Sequence, residues 1–270
     1  MRRYVTEFIG TFGLVFTVGC AVMSRSPVAP LAIGAALMVL IYAGGHISGG
    51  HYNPAVTLGV FLRGKLPRAD VGPYWIAQLA GAFLAAWLAK FTIHPGPIQA
   101  LSTAGAHAIF SAMFAEFFFT FALVYVVLNV ATSKDQPGNQ FFGLAIGFTV
   151  AAGAFAVGGV SGAAFNPAVA FGAMLMGLLN WGNFYIYLIA NAAGGAVAAY
   201  AFRYLNPGDV IEGPLAPRPA AAGAAVSQAG VGAGQTATPA NPAPPANPAP
   251  SANPAPPAGP APSADSPPPG

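Results

Sequence analysis

Charge is what this sequence has least of. Asp, Glu, Lys and Arg make up 6% of its 270 residues, and 55% are hydrophobic, whereas about a quarter of a soluble domain is charged. A water-exposed globular surface cannot be assembled from that supply. Cysteine is as scarce. The lone Cys20 stands in an apolar run with no partner, which excludes a disulfide framework and a thiolate metal centre and leaves a buried, inert thiol as the reading. Ten Lys and Arg against seven Asp and Glu give a net charge of +3. They form no cluster that could neutralise several phosphates, so no nucleic-acid partner is expected. Paired nucleophile and base, a phosphate-binding glycine loop and a metal cluster are missing too, which argues against an enzyme. His46 and His51 lie five apart with no third ligand nearby, so neither a metal nor another cofactor is expected.

Proline divides the chain. Of its 27 prolines, nine precede residue 205 and 18 follow it. Residues 205–270 are Pro, Ala, Gly, Ser and Asn with few large apolar side chains, a composition that cannot offset the entropy of ordering and predicts a disordered tail. Residues 1–204 instead contain six apolar stretches, over 4–24, 29–46, 71–92, 107–131, 140–159 and 182–203. Each is close to the ~20 residues that cross a ~30 Å hydrocarbon core. With the N-terminus inside, the inner side collects Arg2, Arg3, Arg63, Lys65, Arg68, Lys134, Arg203 and Arg218, and the outer side only Arg25 and Lys90. That bias predicts that both termini face the cytoplasm, in a plasma (inner) membrane.

The six stretches form two copies. SGGHYNPAVTLG from Ser48 realigns with SGAAFNPAVAFG from Ser161 at an offset of 113. The same offset pairs Tyr74 with Tyr187, Gln78 with Asn191 and Gly81 with Gly194. Upstream, TEFIGTFGLVF from Thr6 matches AEFFFTFALVY from Ala115 at an offset of 109. Repeat one therefore covers about 4–92 and repeat two about 107–203. Three crossings per repeat force the second copy into the membrane upside down, an architecture that places a shared site near the midplane.

Each copy also holds an apolar segment too short to cross, PAVTLGVFLR from Pro54 and PAVAFGAMLM from Pro167. Ten residues at 1.5 Å each make ~15 Å, half the core, so each is predicted to be a re-entrant half-helix. Asn53 and Asn166 are good N-caps, and Pro54 and Pro167 suit the first helical position. Asn-Pro-Ala recurs at Asn241, Asn247 and Asn253, but there no apolar run follows. Two helix N-termini aimed at one midplane point would present roughly +0.5 charge each and repel cations. The segments before each Asn, namely Gly49, Gly50, His51 and Tyr52 in one copy and Gly162, Ala163, Ala164 and Phe165 in the other, are expected to run extended and to offer carbonyls to a wet cavity.

GHISGGHYNPAVTLG, VSGAAFNPAVAFG and the repeat-related Glu7 and Glu116 strongly resemble the aquaporin (major intrinsic protein) family over about residues 4–204. The resemblance implies an all-α membrane protein of six transmembrane helices plus two re-entrant half-helices. It further implies a homotetramer in the lipid bilayer, each subunit holding a pore flanked by Asn53, Pro54, Ala55 and Asn166, Pro167, Ala168. Glu7 and Glu116 would brace the re-entrant loops, with Gln78 and Asn191 as buried polar anchors. The family's constriction falls on Ile33, Ala154, Ala163 and Val169. Most members carry Arg where Val169 stands, and water-selective members an aromatic and a histidine where Ile33 and Ala154 stand. The Ala163 and Val169 pair is similar to some plant tonoplast aquaporins. Replacing large and hydrogen-bonding side chains by aliphatic ones should widen the filter and strip its donors. The expectation is a passive channel for water and small neutral solutes, such as hydrogen peroxide, ammonia, urea or glycerol, that excludes protons and ions. A strictly water-selective channel and a coupled secondary transporter are the alternatives, and the transporter lacks an evident ion-binding group at the site.

Small residues at Ala77, Gly81, Ala85 and Ala89, repeated at Ala190, Gly194 and Ala198, have the spacing of close helix contacts. The sequence leaves open whether the partner is within the subunit or in the next one.

Overall fold

The computed structural model describes residues 1–209, and the predicted tail from 210 onward lies outside them. Long apolar runs become α1 (Arg2–Met23), α2 (Ala29–Ser48), α4 (Arg68–Ile93), α5 (Ala106–Thr132), α6 (Phe142–Ser161) and α8 (Phe184–Leu205). All six are long and apolar enough to span a membrane. The two short segments become the ten-residue helices α3 (Pro54–Arg63) and α7 (Pro167–Met176). Both start on an asparagine cap with proline in the first turn, and both stop at a left-handed glycine, Gly64 at φ 87° and Gly177 at φ 82°. Left-handed backbone costs glycine nothing, so the stop is local chemistry.

The helices pack by repeat: α1 against α4 and α2, and α5 against α8 and α6, with α2 meeting α6 where the halves join. Each half-helix packs against the other half's outer pair, α3 against α8 and α7 against α4. Backbone approach sets these contacts. A Cβ added to Gly81 would lie 2.5 Å from the Phe8 carbonyl oxygen, and one added to Gly194 would lie 2.6 Å from that of Phe117. The small-residue stripes on α4 and α8 thus face α1 and α5 of the same chain, which answers the question the sequence left open. At the junction of the halves, Gly34 sits against Gly147, where an added Cβ would come within 2.6 Å of the facing carbonyl oxygen.

Two parts of the chain run beyond the sequence-based limits. Helix α4 starts at Arg68 rather than 71, and Asp70 in its first turn accepts hydrogen bonds from Arg3 Nη1 at 2.9 Å and Tyr4 Oη at 2.7 Å, tying the starts of α1 and α4 together. After α8, Asn206 to Asp209 form a turn in which the Asp209 N–H donates to the Asn206 carbonyl and the Asp209 side chain is buried. The boundary drawn at 205 therefore cuts into packed chain: an ion pair with Arg63 holds Asp209.

Candidate functional site

Two loops and two half-helix N-termini meet inside the bundle. Asn53 caps α3 by accepting from the Ala55 N–H at 2.8 Å, and Asn166 caps α7 by accepting from the Ala168 N–H at 2.9 Å. With each Oδ1 occupied by its own helix, each amide nitrogen reaches across to the opposite copy. Asn53 Nδ2 donates to the Phe165 carbonyl at 2.9 Å, and Asn166 Nδ2 donates to the Tyr52 carbonyl at 2.9 Å. This reciprocal pair of bonds fixes the two helix starts against each other. An amide nitrogen carries two hydrogens, so one N–H per asparagine is left after the cross-bond.

Behind each loop stands a buried carboxylate. Glu7 accepts from Ser48 Oγ at 2.7 Å, the His51 N–H at 3.0 Å, the Tyr52 N–H at 2.7 Å and Gln78 Nε2 at 2.8 Å. Glu116 accepts from Ser161 Oγ at 2.7 Å, the Ala164 N–H at 2.9 Å and the Phe165 N–H at 2.7 Å. Charge-assisted bonds of this kind are the strong ones, and they fix loops that no secondary structure would hold. Tyr74 Oη and Tyr187 Oη close the far side by donating to the carbonyls of Ser48 and Ser161 at 2.7 and 2.6 Å.

The loops are not extended as the sequence implied. Gly49, Gly50 and Tyr52 have φ of 92°, 63° and 49°, and Gly162, Ala163 and Phe165 have φ of 84°, 50° and 48°. Left-handed residues between ordinary ones turn successive N–H groups toward one point, so a single carboxylate can satisfy several of them. Tyr52, Ala163 and Phe165 hold this conformation without being glycine, which costs energy that the glutamate bonds offset.

A cavity of about 740 Å³ runs beside these elements. Ile33, Ala154, Ala163 and Val169 line it together, and so do Asn53 and Asn166. Of the loop residues expected to face it, Gly50, His51, Gly162, Ala163 and Ala164 do so. Gly49 instead lines a second cavity of about 520 Å³ at the end of the bundle that carries Arg3 and Lys65. Tyr52 and Phe165 line neither, because their carbonyls are occupied by the cross-bonds and their rings are buried in the core. Among the described residues, no Asp, Glu, Lys or Arg lines the larger cavity, and His51 is the one titratable side chain along it.

Sequence reasoning missed two contributors. Gln99 to Ser102 line the cavity, held there by Leu101 N–H to Leu178 carbonyl and Asn180 N–H to Leu101 carbonyl bonds at 2.9 and 3.1 Å. These residues lie between the repeats and have no counterpart, so periodicity gave no signal. Thr57 was also overlooked: its hydroxyl donates to the Asn53 carbonyl at 3.0 Å, accepts from Gln78 Nε2 at 2.9 Å and lies 3.1 Å from His51 Nδ1. Its counterpart by the repeat offset is Ala170, so the repeat hid it.

Comparison with known proteins agrees with this geometry. Residues 1–202 match the family model described as Major intrinsic protein. Aquaporin TIP1-2 of Zea mays is 36% identical over 216 residues, covering 74% of this chain and 84% of that protein. Glycerol uptake facilitator protein-like 6 of Lactiplantibacillus plantarum is 36% identical over 217 residues, covering 77% of this chain and 100% of that protein. Among solved structures, the aquaglyceroporin from Plasmodium falciparum superposes with a TM-score of 0.65 at 23% identity, over 74% of this chain and 94% of that one, a likeness of fold. Six apolar helices, two asparagine-capped half-helices and these matches place the chain in the major intrinsic protein family of multi-pass membrane channels.

Proposed function

We propose that this chain is a passive pore that conducts water together with small neutral solutes and excludes protons and ions. The observation that carries this reading is a cavity with no Asp, Glu, Lys or Arg along it among the described residues, lined by Ile33, Ala154, Ala163 and Val169 together with Asn53 and Asn166. A filter of aliphatic side chains sets a loose size limit and offers few replacements for a solute's lost hydration. Hydrogen peroxide, ammonia, urea and glycerol suit it, being small and neutral. Carbonyls of Gly50, His51, Gly162, Ala163 and Ala164 supply acceptors along the wall.

Ion exclusion then rests on the centre. Two helix N-termini, each worth roughly +0.5 charge, abut where Asn53 and Asn166 cross-bond. A water oxygen that accepts the remaining N–H of both amides cannot also accept from its neighbour in file, which interrupts proton relay. Glu7 and Glu116 each accept from two loop N–H groups and a serine hydroxyl, Ser48 or Ser161, and Glu7 also from Gln78, so they act as braces rather than proton carriers. In this reading four subunits assemble in the plasma (inner) membrane, each with its own pore and with both termini in the cytoplasm. The inner excess of Lys and Arg supports the orientation.

The test is a panel of water, urea, glycerol and ammonia fluxes into proteoliposomes, measured for the wild type and Val169→Arg. Arg at this position should reduce solute flux more than water flux, because it narrows the filter and restores donors. A wild type that passes water alone, or a substitution that scales all fluxes equally, contradicts the assigned filter.

A further inference from the structure

The half-helices end differently. At the offset of 113, Arg63, the last residue of α3, aligns with Met176, the last residue of α7, and both are 1% exposed. Met176 fills its place by packing, with its sulfur against Gly19 of α1. Arg63 puts a guanidinium into the matching place, and the molecule has built around it. Nη2 lies 3.1 Å from Asp209 Oδ2 and 3.5 Å from the Thr132 carbonyl, and the guanidinium carbon stands 4.5 Å from the centre of the Phe202 ring. Asp209 Oδ1 accepts from the Lys134 N–H at 3.3 Å. One ion pair thus gathers the ends of α3, α5 and α8.

The turn that brings Asp209 there is itself ordered by hydrogen bonds. The Asn206 N–H and Nδ2 both donate to the Phe202 carbonyl at 2.9 Å, and the Asp209 N–H donates to the Asn206 carbonyl at 3.0 Å. Close by, Thr132, Ala131, Val127 and Lys65 line the 520 Å³ cavity, which shares His51 and Val127 with the larger one. Helix α3 is therefore fixed at two points: Asn53 at its start, by the bond to Phe165, and Arg63 at its end, by Asp209.

We infer that Asp209 is a positioning residue of the channel, a counter-charge to Arg63 that holds α3 and through it Asn53, so that the working channel extends past the end of helix α8. The inference rests on the channel reading above. Removing this charge from beside a buried guanidinium is unfavourable and lets the Arg63 end of α3 shift. Thr132, whose carbonyl oxygen lies 3.5 Å from Arg63 Nη2, borders the 520 Å³ cavity. A ten-residue helix moves nearly as a rod, so displacement of its Arg63 end displaces Asn53 at the other. In the second half Met176 needs no such partner, which makes Arg63→Met the repeat's own solution to losing Asp209.

The test uses the full chain in proteoliposomes with Asp209→Asn, Asp209→Glu and the double variant Arg63→Met/Asp209→Asn, together with chains ending at 205 and at 214. Thermal unfolding and osmotic water permeability per reconstituted channel are read for each. Asp209→Asn and the chain ending at 205 should melt lower, by about 5 °C or more, and lose water permeability. Asp209→Glu, the double variant and the chain ending at 214 should recover both. If Asp209→Asn fails to reconstitute, the double variant must still do so, and its failure overturns the inference. Unchanged melting and permeability in Asp209→Asn overturn it, as does a lowered melting temperature with wild-type permeability, which would leave a contact that stabilises without positioning. Absence of flux in the wild type would instead overturn the channel reading, while the melting comparison would still report on the ion pair.

Discussion

Glu7 in the first half and Glu116 in the second hold their loops with nearly the same bonds: a serine hydroxyl at 2.7 Å in both, one backbone N–H at 3.0 or 2.9 Å, and the next at 2.7 Å in both. The side chains on those loops and on the half-helices after them differ. Where the first half has His51, Thr57 and Arg63, the second has Ala164, Ala170 and Met176. The shared part is what any chain must supply to hold a non-helical loop at membrane depth, because unpaired backbone groups there cost several kcal/mol each. The unshared part reflects the two different ends of the bundle that the halves face. Gln78 reaches both Glu7 and Thr57, whereas Asn191, one methylene shorter, accepts from Thr120 Oγ1 at 3.0 Å.

The largest effect should come from removing either carboxylate. Glu116→Ala leaves the Ala164 and Phe165 N–H groups and the Ser161 hydroxyl without their acceptor, and each charge-assisted bond is worth about 1.5–3 kcal/mol. Neither Glu116→Ala nor Glu7→Ala should be recoverable as a monodisperse folded protein in detergent. Survival of one but not the other would break the equivalence of the halves.

Next comes the centre, where the halves touch. Asn166→Asp retains an oxygen to cap α7 but loses the donor to the Tyr52 carbonyl, and it sets a negative charge between two helix N-termini. A proton or cation leak should appear in vesicles under an ionic gradient, and Asn53→Asp should match it. A tight, water-conducting Asn166→Asp channel would show that the helix ends are not the barrier.

Much of this was legible in the sequence because it repeats. The offset of 113 located both half-helices, and helix chemistry then gave their starts, since Asn followed by Pro is a cap and a first turn wherever an apolar run follows. The glutamates were visible as paired intramembrane carboxylates. What escaped depended on three-dimensional coincidence or on the breaking of the repeat. The cross-bonds from Asn53 to Phe165 and from Asn166 to Tyr52 span 112 and 114 residues, and no spacing announces them. The left-handed backbone at Tyr52, Ala163 and Phe165 was hidden because none of the three is glycine. Arg63 read as one of many inner cations, since nothing in one dimension says that a residue beyond α8 will bury it.

The smallest effect should come from Thr57, whose counterpart in the second half is Ala170. Thr57→Ala removes one hydroxyl from the group formed with Asn53, Gln78 and His51, and makes that position resemble Ala170. A cost of about 1 kcal/mol is expected, read as a modest fall in melting temperature with water permeability retained. A large loss of permeability would mean that the first loop depends on its own side chains more than the shared backbone bonds imply.

If an uncharged cavity joined to two opposed helix N-termini passes neutral molecules and stops protons, water and protons must cross the membrane independently. Recording vesicle volume and internal pH together in proteoliposomes, under an osmotic gradient and an opposed pH gradient, tests it most directly. The predicted result is rapid shrinkage, well above that of empty vesicles, with the internal pH holding as it does in those empty vesicles. Shrinkage no faster than in empty vesicles, or a pH change that follows the water, would contradict it.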